Sequence, residues 1–352
     1  MINMAGMYRI QLRLIVFIAQ ALGLFAIAPS VCPAQEQPDA TRPRANFPTA
    51  TLGGVQFWSD ELVFHSYRIQ QNVLTGHYRL LDDRDFRMAS GTFDECRTRL
   101  DQIKREHDLK PVTGRVVITL HGLVRSRDAM DAIGQHLEDE GGYTWLNVSY
   151  ASSRRTLDEH AQSLARVMSG LDEVSEINFV CHSMGNLVVR RYLGEASEPN
   201  PRWKPDQRIK RMVMIGPPNN GAQFARFFTN NKLYSLVTGP SGKQLAVTWE
   251  EAQTKLAVPQ FEFGIIAGGR NDGRGANPLV EGDDDLVVAV EETRLPGARD
   301  FLVVPRLHGH LLEDDQVRRC VSTFLREGHF VAADKRQPIE GAASLTSGPR
   351  RQ

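Results

Sequence analysis

The pentad Cys181-His182-Ser183-Met184-Gly185 sits between an apolar run, Ile177 to Cys181, and a helical pattern, Met184 to Leu193. A serine on a sharp strand-to-helix turn exposes its hydroxyl at the edge of a sheet and aims the next backbone N–H at a bound carbonyl. Ser183 is therefore the candidate nucleophile, and the Met184 N–H a candidate oxyanion donor. Small residues are needed two positions before and after such a serine, because the chains crowd there. Gly185 meets that need, whereas Cys181 stands where glycine is usual. Short matches also arise by accident, so the pentad carries weight only with its partners.

Candidate partners occur in chain order. Leu120-His121-Gly122-Leu123 ends an earlier apolar run, and a loop there supplies the second oxyanion donor in such a sheet. Gly122 admits close approach of substrate to backbone, the Leu123 N–H is the expected donor, and His121 and Gly122 are expected at the substrate. The bland alternative is an ordinary strand-ending turn. Downstream, Gly282-Asp283-Asp284-Asp285-Leu286 offers a carboxylate, and His308, with His310 as competitor, offers the base. A histidine would take the serine proton and return it to the leaving group, while the acid orients it. Three consecutive Asp also read as a solvated loop. With Glu281 they could be oxygen ligands, but they lack regular cation-loop spacing, so no metal is expected.

Elements that must position these residues alternate from Arg115 onward. Val116–Leu120, Trp145–Val148, Ile177–Cys181, Met212–Ile215, Phe263–Ala267 and Phe301–Val304 read as strands. Helical patterns fall at 129–140, at 157–167 behind a Thr156/Glu159 capping box, at 184–193 and at 313–325. Such alternation predicts an α/β fold, a mostly parallel sheet with helices on both faces. Before it, 53–112 reads as an N-terminal extension: a strand pair over 55–81 broken at Thr75-Gly76, then a helix opened by Thr92 and Glu95. The core α/β domain is expected over 113–332. Its long connection, 221–259, is a possible cap in which Phe224, Phe227 and Phe228 at helical spacing line a substrate pocket or simply pack into the core.

Bulk properties set limits. The chain has 352 residues with 42 basic and 42 acidic side chains, which gives none of the basic footprint of a nucleic-acid binder. Arg9 and Arg13, the apolar stretch Leu14–Ala28 and Cys32-Pro33-Ala34 follow the order of a secretory signal, with cleavage after Ala34. Export to the periplasm or exterior is the expectation, with an uncleaved anchor as the alternative. Residues 35–52 read as a linker and 333–352 as a disordered tail. Cys96, Cys181 and Cys320 remain after the signal, so at most one disulfide can form within the chain.

Taken together, His121-Gly122-Leu123, the 181–185 elbow, Gly216-Pro217-Pro218-Asn219-Asn220-Gly221-Ala222, the acidic loop and His308 resemble the lipase- and esterase-like α/β-hydrolases over roughly 115–325. Members often carry Asp-Gly-x-Val at the acid. The frame Asp285-Leu286-Val287-Val288 therefore implies Asp285, with Asp284 in reserve and Leu286 in place of glycine. A histidine after a Val-Pro strand end implies His308 over His310. The resemblance implies a serine hydrolase acting on a small-molecule ester with an apolar acyl part, with no cofactor. It implies no nucleic acid, and membrane contact only through an uncleaved signal or a lipid substrate. An acyltransferase or amidase could use the same machinery, and a non-catalytic binding protein could share the fold.

Overall fold

The computed structural model describes residues 55–227 and 232–341, all within one unit spanning Ala50–Gln352. The expected signal, the linker, Phe228 and the tail beyond 341 lie outside the described residues. The chain opens with four antiparallel strands in sequential order: β1 (Trp58–Phe64), β2 (Tyr67–Asn72), β3 (Tyr78–Leu81) and β4 (Arg87–Gly91). The sequence predicts only the strand pair. β4 reads Arg-Met-Ala-Ser-Gly, without a β-branched or aromatic residue, and its pairing with β3 makes it a strand. Helix α1 (Phe93–Glu106) follows, closed by the Thr92/Glu95 box in both directions, and buries Cys96, Leu100 and Ile103.

Six parallel strands form the second sheet: β5 (Gly114–Leu120), β6 (Thr144–Val148), β7 (Val174–His182), β8 (Ile209–Ile215), β9 (Glu262–Gly268) and β10 (Asp300–Val304). Their order is β10-β9-β8-β7-β5-β6. Helices α2 (Asp131–Asp139), α3 (Leu157–Ser169) and α4 (Gly185–Ala196) fall where the apolar patterns place them. The cap region holds α5 (Gln223–Arg226), α6 (Lys232–Ala246) and α7 (Trp249–Gln253). A one-turn α8 (Val290–Thr293) precedes β10, and α9 (Asp315–Glu327) ends the core.

Side chains alternate across the sheet, so each strand feeds two cores. Val116, Ile118, Phe179 and Cys181 join one layer with α3 and α4; Val117, Val180, Val213 and Ile266 join the other with α2 and α9. Each fully buried aliphatic side chain contributes about 1.5–3 kcal/mol. Together they make the sheet a rigid frame for the loops at its C-terminal edge.

The N-terminal sheet is bolted to this frame by polar groups. Asp60, fully buried, accepts from Arg68 and Gln70 at 2.8 Å and from the Ser149 N–H at 2.7 Å, and its own N–H donates to the Ser149 carbonyl. Buried Glu61 accepts from Ser163 and Arg166 on α3. At the other end, residues 333–341 do not form part of a loose tail. Gln337 N–H donates to Asp300 Oδ1, and Ile339 exchanges backbone bonds with Gly297 and Ala298. The three described cysteines are buried and free. No helix of the described residues is long and apolar enough to cross a membrane.

Candidate active site

Ser183 lies between β7 and α4 with φ +52, and its N–H donates to Ile215 O at 2.8 Å. A left-handed backbone at a non-glycine residue costs roughly 1–2 kcal/mol and persists only where surrounding contacts impose it. Here the β8 carbonyl and the packed strand and helix impose it. Gly185 is required by space: a Cβ there would stand 2.6 Å from Leu120 O and 2.8 Å from His121 O. Cys181, by contrast, points into the α3/α4 core and is fully buried, so the elbow does not need glycine at that position. Burial raises its thiol pKa, which keeps it a neutral core group.

Gly122 approaches Ser183 closely, with its virtual Cβ 3.0 Å from Ser183 Cβ and 3.5 Å from Ser183 Oγ. The expected donors, Leu123 N–H and Met184 N–H, make no hydrogen bond to the protein among the described residues. Two free amides beside one serine hydroxyl are what an oxyanion site requires.

The candidate base and acid are paired. His308 Nδ1 lies 2.6 Å from Asp285 Oδ2, with both residues buried, and His308 N–H donates to Asp285 O at 2.8 Å. A carboxylate can only accept, so Nδ1–H is the donor of this bond and Nε2 is left on the other side of the ring. Asp285 Oδ1 accepts from Val287 N–H (3.0 Å) and Val288 N–H (2.8 Å), which fixes the orientation of the carboxylate. Gly216, φ +53, makes room for the imidazole: a Cβ there would meet the His308 ring at 3.1 Å. Among the described residues no hydrogen bond joins Ser183 Oγ to His308. The competitor His310 is exposed in the 3-10 turn His308–Glu313.

Of the other two aspartates, Asp283 is half-buried and Asp284 buried, and they are not gathered on a common point. Asp283 accepts from Arg270 N–H (2.7 Å) and Asn271 N–H (2.6 Å). Asp284, 1% exposed, accepts from Asn277 N–H and Leu286 N–H, and burial raises its pKa. Both anchor the loop backbone. Leu286, at the expected glycine position, adopts φ +89, so the glycine conformation is kept without the glycine.

Two expectations need correction. The His121 side chain is fully buried rather than at the substrate. It stacks on Tyr150 with ring centroids 4.3 Å apart, and Nδ1–H donates to Gly122 O. Burial lowers its pKa to about 4, so it is neutral. Phe224 is buried at 8% exposure while Phe227, three residues on, is 59% exposed, so the two do not share a lining face. The segment 221–259, read as a possible cap, holds three helices, α5 to α7. α6 kinks at Gly239 (φ 60, ψ −151), where a Cβ would sit 1.7 Å from Ser153 O.

Sequence reasoning missed several supports. His182 Nε2 donates to His308 O at 3.1 Å, and the two rings lie 4.6 Å apart. Burial and then the nearby His308 hold the His182 pKa well below its ordinary value. Tyr150 OH donates to His121 O at 2.5 Å, and Val124 N–H donates to Ser152 Oγ at 2.9 Å. Behind Tyr150 stands His160, edge-on at 4.8 Å, its pKa lowered by burial to about 3. His160 Nε2 meets Ser241 Oγ, whose own proton goes to Arg155 O. Only the residue beside Ser183 carried a sequence signal; the rest lie far away along the chain. No group of three or more His, Cys, Asp or Glu side chains able to hold a metal ion occurs among the described residues.

Residues 86–258 match a family described as Domain of unknown function (DUF7379). No curated protein matches the sequence. Among solved structures, phospholipase PlaB from Legionella pneumophila in complex with thio-NAD is similar at 17% identity and TM-score 0.40, over 52% of this chain and 44% of that one. The chain thus spans less than half of that phospholipase. The mature lipase BlEst2 from Bacillus licheniformis is similar at 14% identity and TM-score 0.43, over 60% and 91% of the two chains. Est1E from Butyrivibrio proteoclasticus is similar at 19% identity and TM-score 0.40, over 62% and 89%. By its own sheet order, its strand-to-helix serine turn and its strand-end acid and histidine, the chain has the α/β-hydrolase fold.

Proposed function

We propose that the protein is an exported serine hydrolase that cleaves carboxylic esters with an apolar acyl part. The observation that carries this reading is the buried 2.6 Å Asp285–His308 pair beside a serine held at φ +52. A strained serine and an oriented imidazole have little purpose as packing alone, and both sit at the edge of the sheet where substrates bind.

In this mechanism His308 Nε2 takes the Ser183 proton as Oγ attacks the ester carbonyl. The carbonyl oxygen gains the negative charge and accepts from Leu123 N–H and Met184 N–H; each such donor stabilises the transition state by about 3–4 kcal/mol. Asp285 stabilises the imidazolium. His308 then returns the proton to the leaving alkoxide, which gives an acyl-serine and a free alcohol. Water, deprotonated by the same imidazole, releases the acid. The Ser183–His308 hydrogen bond forms as substrate fills the site, as is common for catalytic contacts that are open in the free enzyme. The apolar acyl preference rests on Leu123, Met184 and Phe224 near the elbow and at the cap; export rests on the N-terminal pattern alone.

An active-site fluorophosphonate probe should label the purified protein lacking residues 1–34, and Ser183→Ala should abolish labelling and turnover of p-nitrophenyl esters. Absence of labelling in well-folded wild-type protein would refute the reading. The same esters in a series of acyl lengths would define the pocket.

A further inference from the structure

The loop that carries the Leu123 amide has an unusual backbone. Val124 adopts φ +62, a conformation that is a true outlier for a β-branched residue. Such backbone persists only when its surroundings fix it. The α/β core supplies one anchor, Tyr150 OH to His121 O. The remaining anchors converge on one side chain from outside that core. Val124 N–H donates to Ser152 Oγ (2.9 Å), and Ser152 Oγ donates to Gln56 Oε1 (3.1 Å). Gln56 Oε1 also accepts from Ser153 N–H (3.2 Å) and Ser153 Oγ (2.9 Å). Its other terminus, Nε2, donates to Arg125 O at 2.8 Å. Gln56 therefore grips the loop after β6 with its acceptor and the loop after β5 with its donor. Ser152 and Ser153 are fully or almost fully buried, so water does not replace these bonds cheaply.

Gln56 lies in the short turn Val55–Phe57 that leads into β1. β1 itself is fixed to the same loop by the Asp60–Ser149 pair and by Ala151 N–H to Ser59 Oγ at 3.1 Å. The four-stranded extension thus holds Gln56 at a fixed height over the oxyanion loop. We propose that Gln56, acting through Ser152 and the Arg125 carbonyl, is a positioning residue that aims the Leu123 amide at the substrate oxyanion. This gives the N-terminal extension a role in turnover, and it rests on the serine-hydrolase reading.

The test uses the chain lacking residues 1–34 and the variants Gln56→Ala and Gln56→Glu. Glutamate keeps the acceptor for Ser152 and Ser153 but cannot donate to Arg125 O. Both variants should lower kcat for a p-nitrophenyl ester by about 10–100-fold with KM within about 3-fold, since the lost donor acts mainly in the transition state. The inhibition constant of a trifluoromethyl ketone, whose adduct carries the same oxyanion, should weaken by a similar factor. Hydrogen exchange should rise in the peptide covering 121–126 and stay unchanged in β7 and β8.

A purely structural role would lower the melting temperature or the active fraction while the surviving sites kept the wild-type inhibition constant; that result overturns the proposal. So does wild-type kcat in both variants, with or without faster exchange. If wild-type protein neither labels nor turns over esters, the hydrolase reading fails on its own evidence. The exchange measurement then decides whether Gln56 orders 121–126: unchanged exchange overturns the positioning, and faster exchange confined to that peptide supports it.

Discussion

The two loops that flank Ser183 are built by opposite means. The acid loop is nearly self-sufficient. Asp283, Asp284 and Asp285 each accept backbone N–H groups close by, from Arg270 and Asn271, from Asn277 and Leu286, and from Val287 and Val288. The oxyanion loop, 121–126, fixes itself with little more than the Arg125 N–H to Gly122 O turn. Its shape is borrowed from Tyr150, Ser152 and Gln56. Each loop also contains an aliphatic residue forced to positive φ, Leu286 at +89 and Val124 at +62. A carboxylate can organise many donors at once, because it has lone pairs to spare. A loop whose amides must stay free for a ligand cannot use them to hold itself, so its supports have to come from elsewhere in the fold.

This contrast can be broken at several points. The largest effect should come from dividing the aspartates. Asp285→Asn should lower kcat by on the order of 10^3–10^4-fold without unfolding, because the imidazole loses its orienting anion and its tautomer. Asp284→Asn should leave kcat within a few-fold but cost about 1–3 kcal/mol of stability, since its carboxylate serves backbone donors only. Steady-state kinetics and urea unfolding on the two variants measure both. The reverse pattern would exchange their assigned roles.

The support behind the oxyanion loop should show itself in acid. His121 and His160 are neutral in the fold, with pKa lowered by burial to about 4 and about 3 from an ordinary 6.5. The unfolded chain binds protons at these sites as pH falls below 6.5, and the folded chain does not. Their stabilising contribution is therefore complete above 6.5 and lost as pH falls toward 4. Each such histidine steepens the loss by about 1.4 kcal/mol per pH unit in that window. Unfolding free energy measured from pH 7 to 4 should fall in wild type and fall less steeply in His160→Phe; an equal slope would contradict buried neutral imidazoles.

The smallest effect is expected at Leu286. Leu286→Gly removes the strain of positive φ but also frees the unfolded chain, so the net change should lie within about 1 kcal/mol and turnover within 2-fold. A large loss of turnover would mean that the Leu286 side chain, rather than its backbone, supports the acid.

Much of this arrangement was legible in the residues. Short apolar runs placed the six parallel strands, because burial on two faces leaves no alternation, and the 3.6-residue period placed the helices between them. Both capping boxes, at Thr92 and Thr156, could be read directly, since all their partners lie within three residues. Strand order and loop position then brought Asp285 and His308 together as expected. What failed had a common cause. β4 became a strand only through β3. His121 turned inward because Tyr150 offered a ring to stack on, and Phe224 and Phe227 parted because α5 is a single turn.

The sequence by itself determined the serine turn, the order of acid and base, and the elements that carry them, since each depends on neighbours along the chain. The tertiary structure alone decided that Cys181 can replace a glycine because it faces the core, and that Gln56 reaches the loop after β5. Those outcomes depend on distances between residues far apart in the chain, which only packing sets.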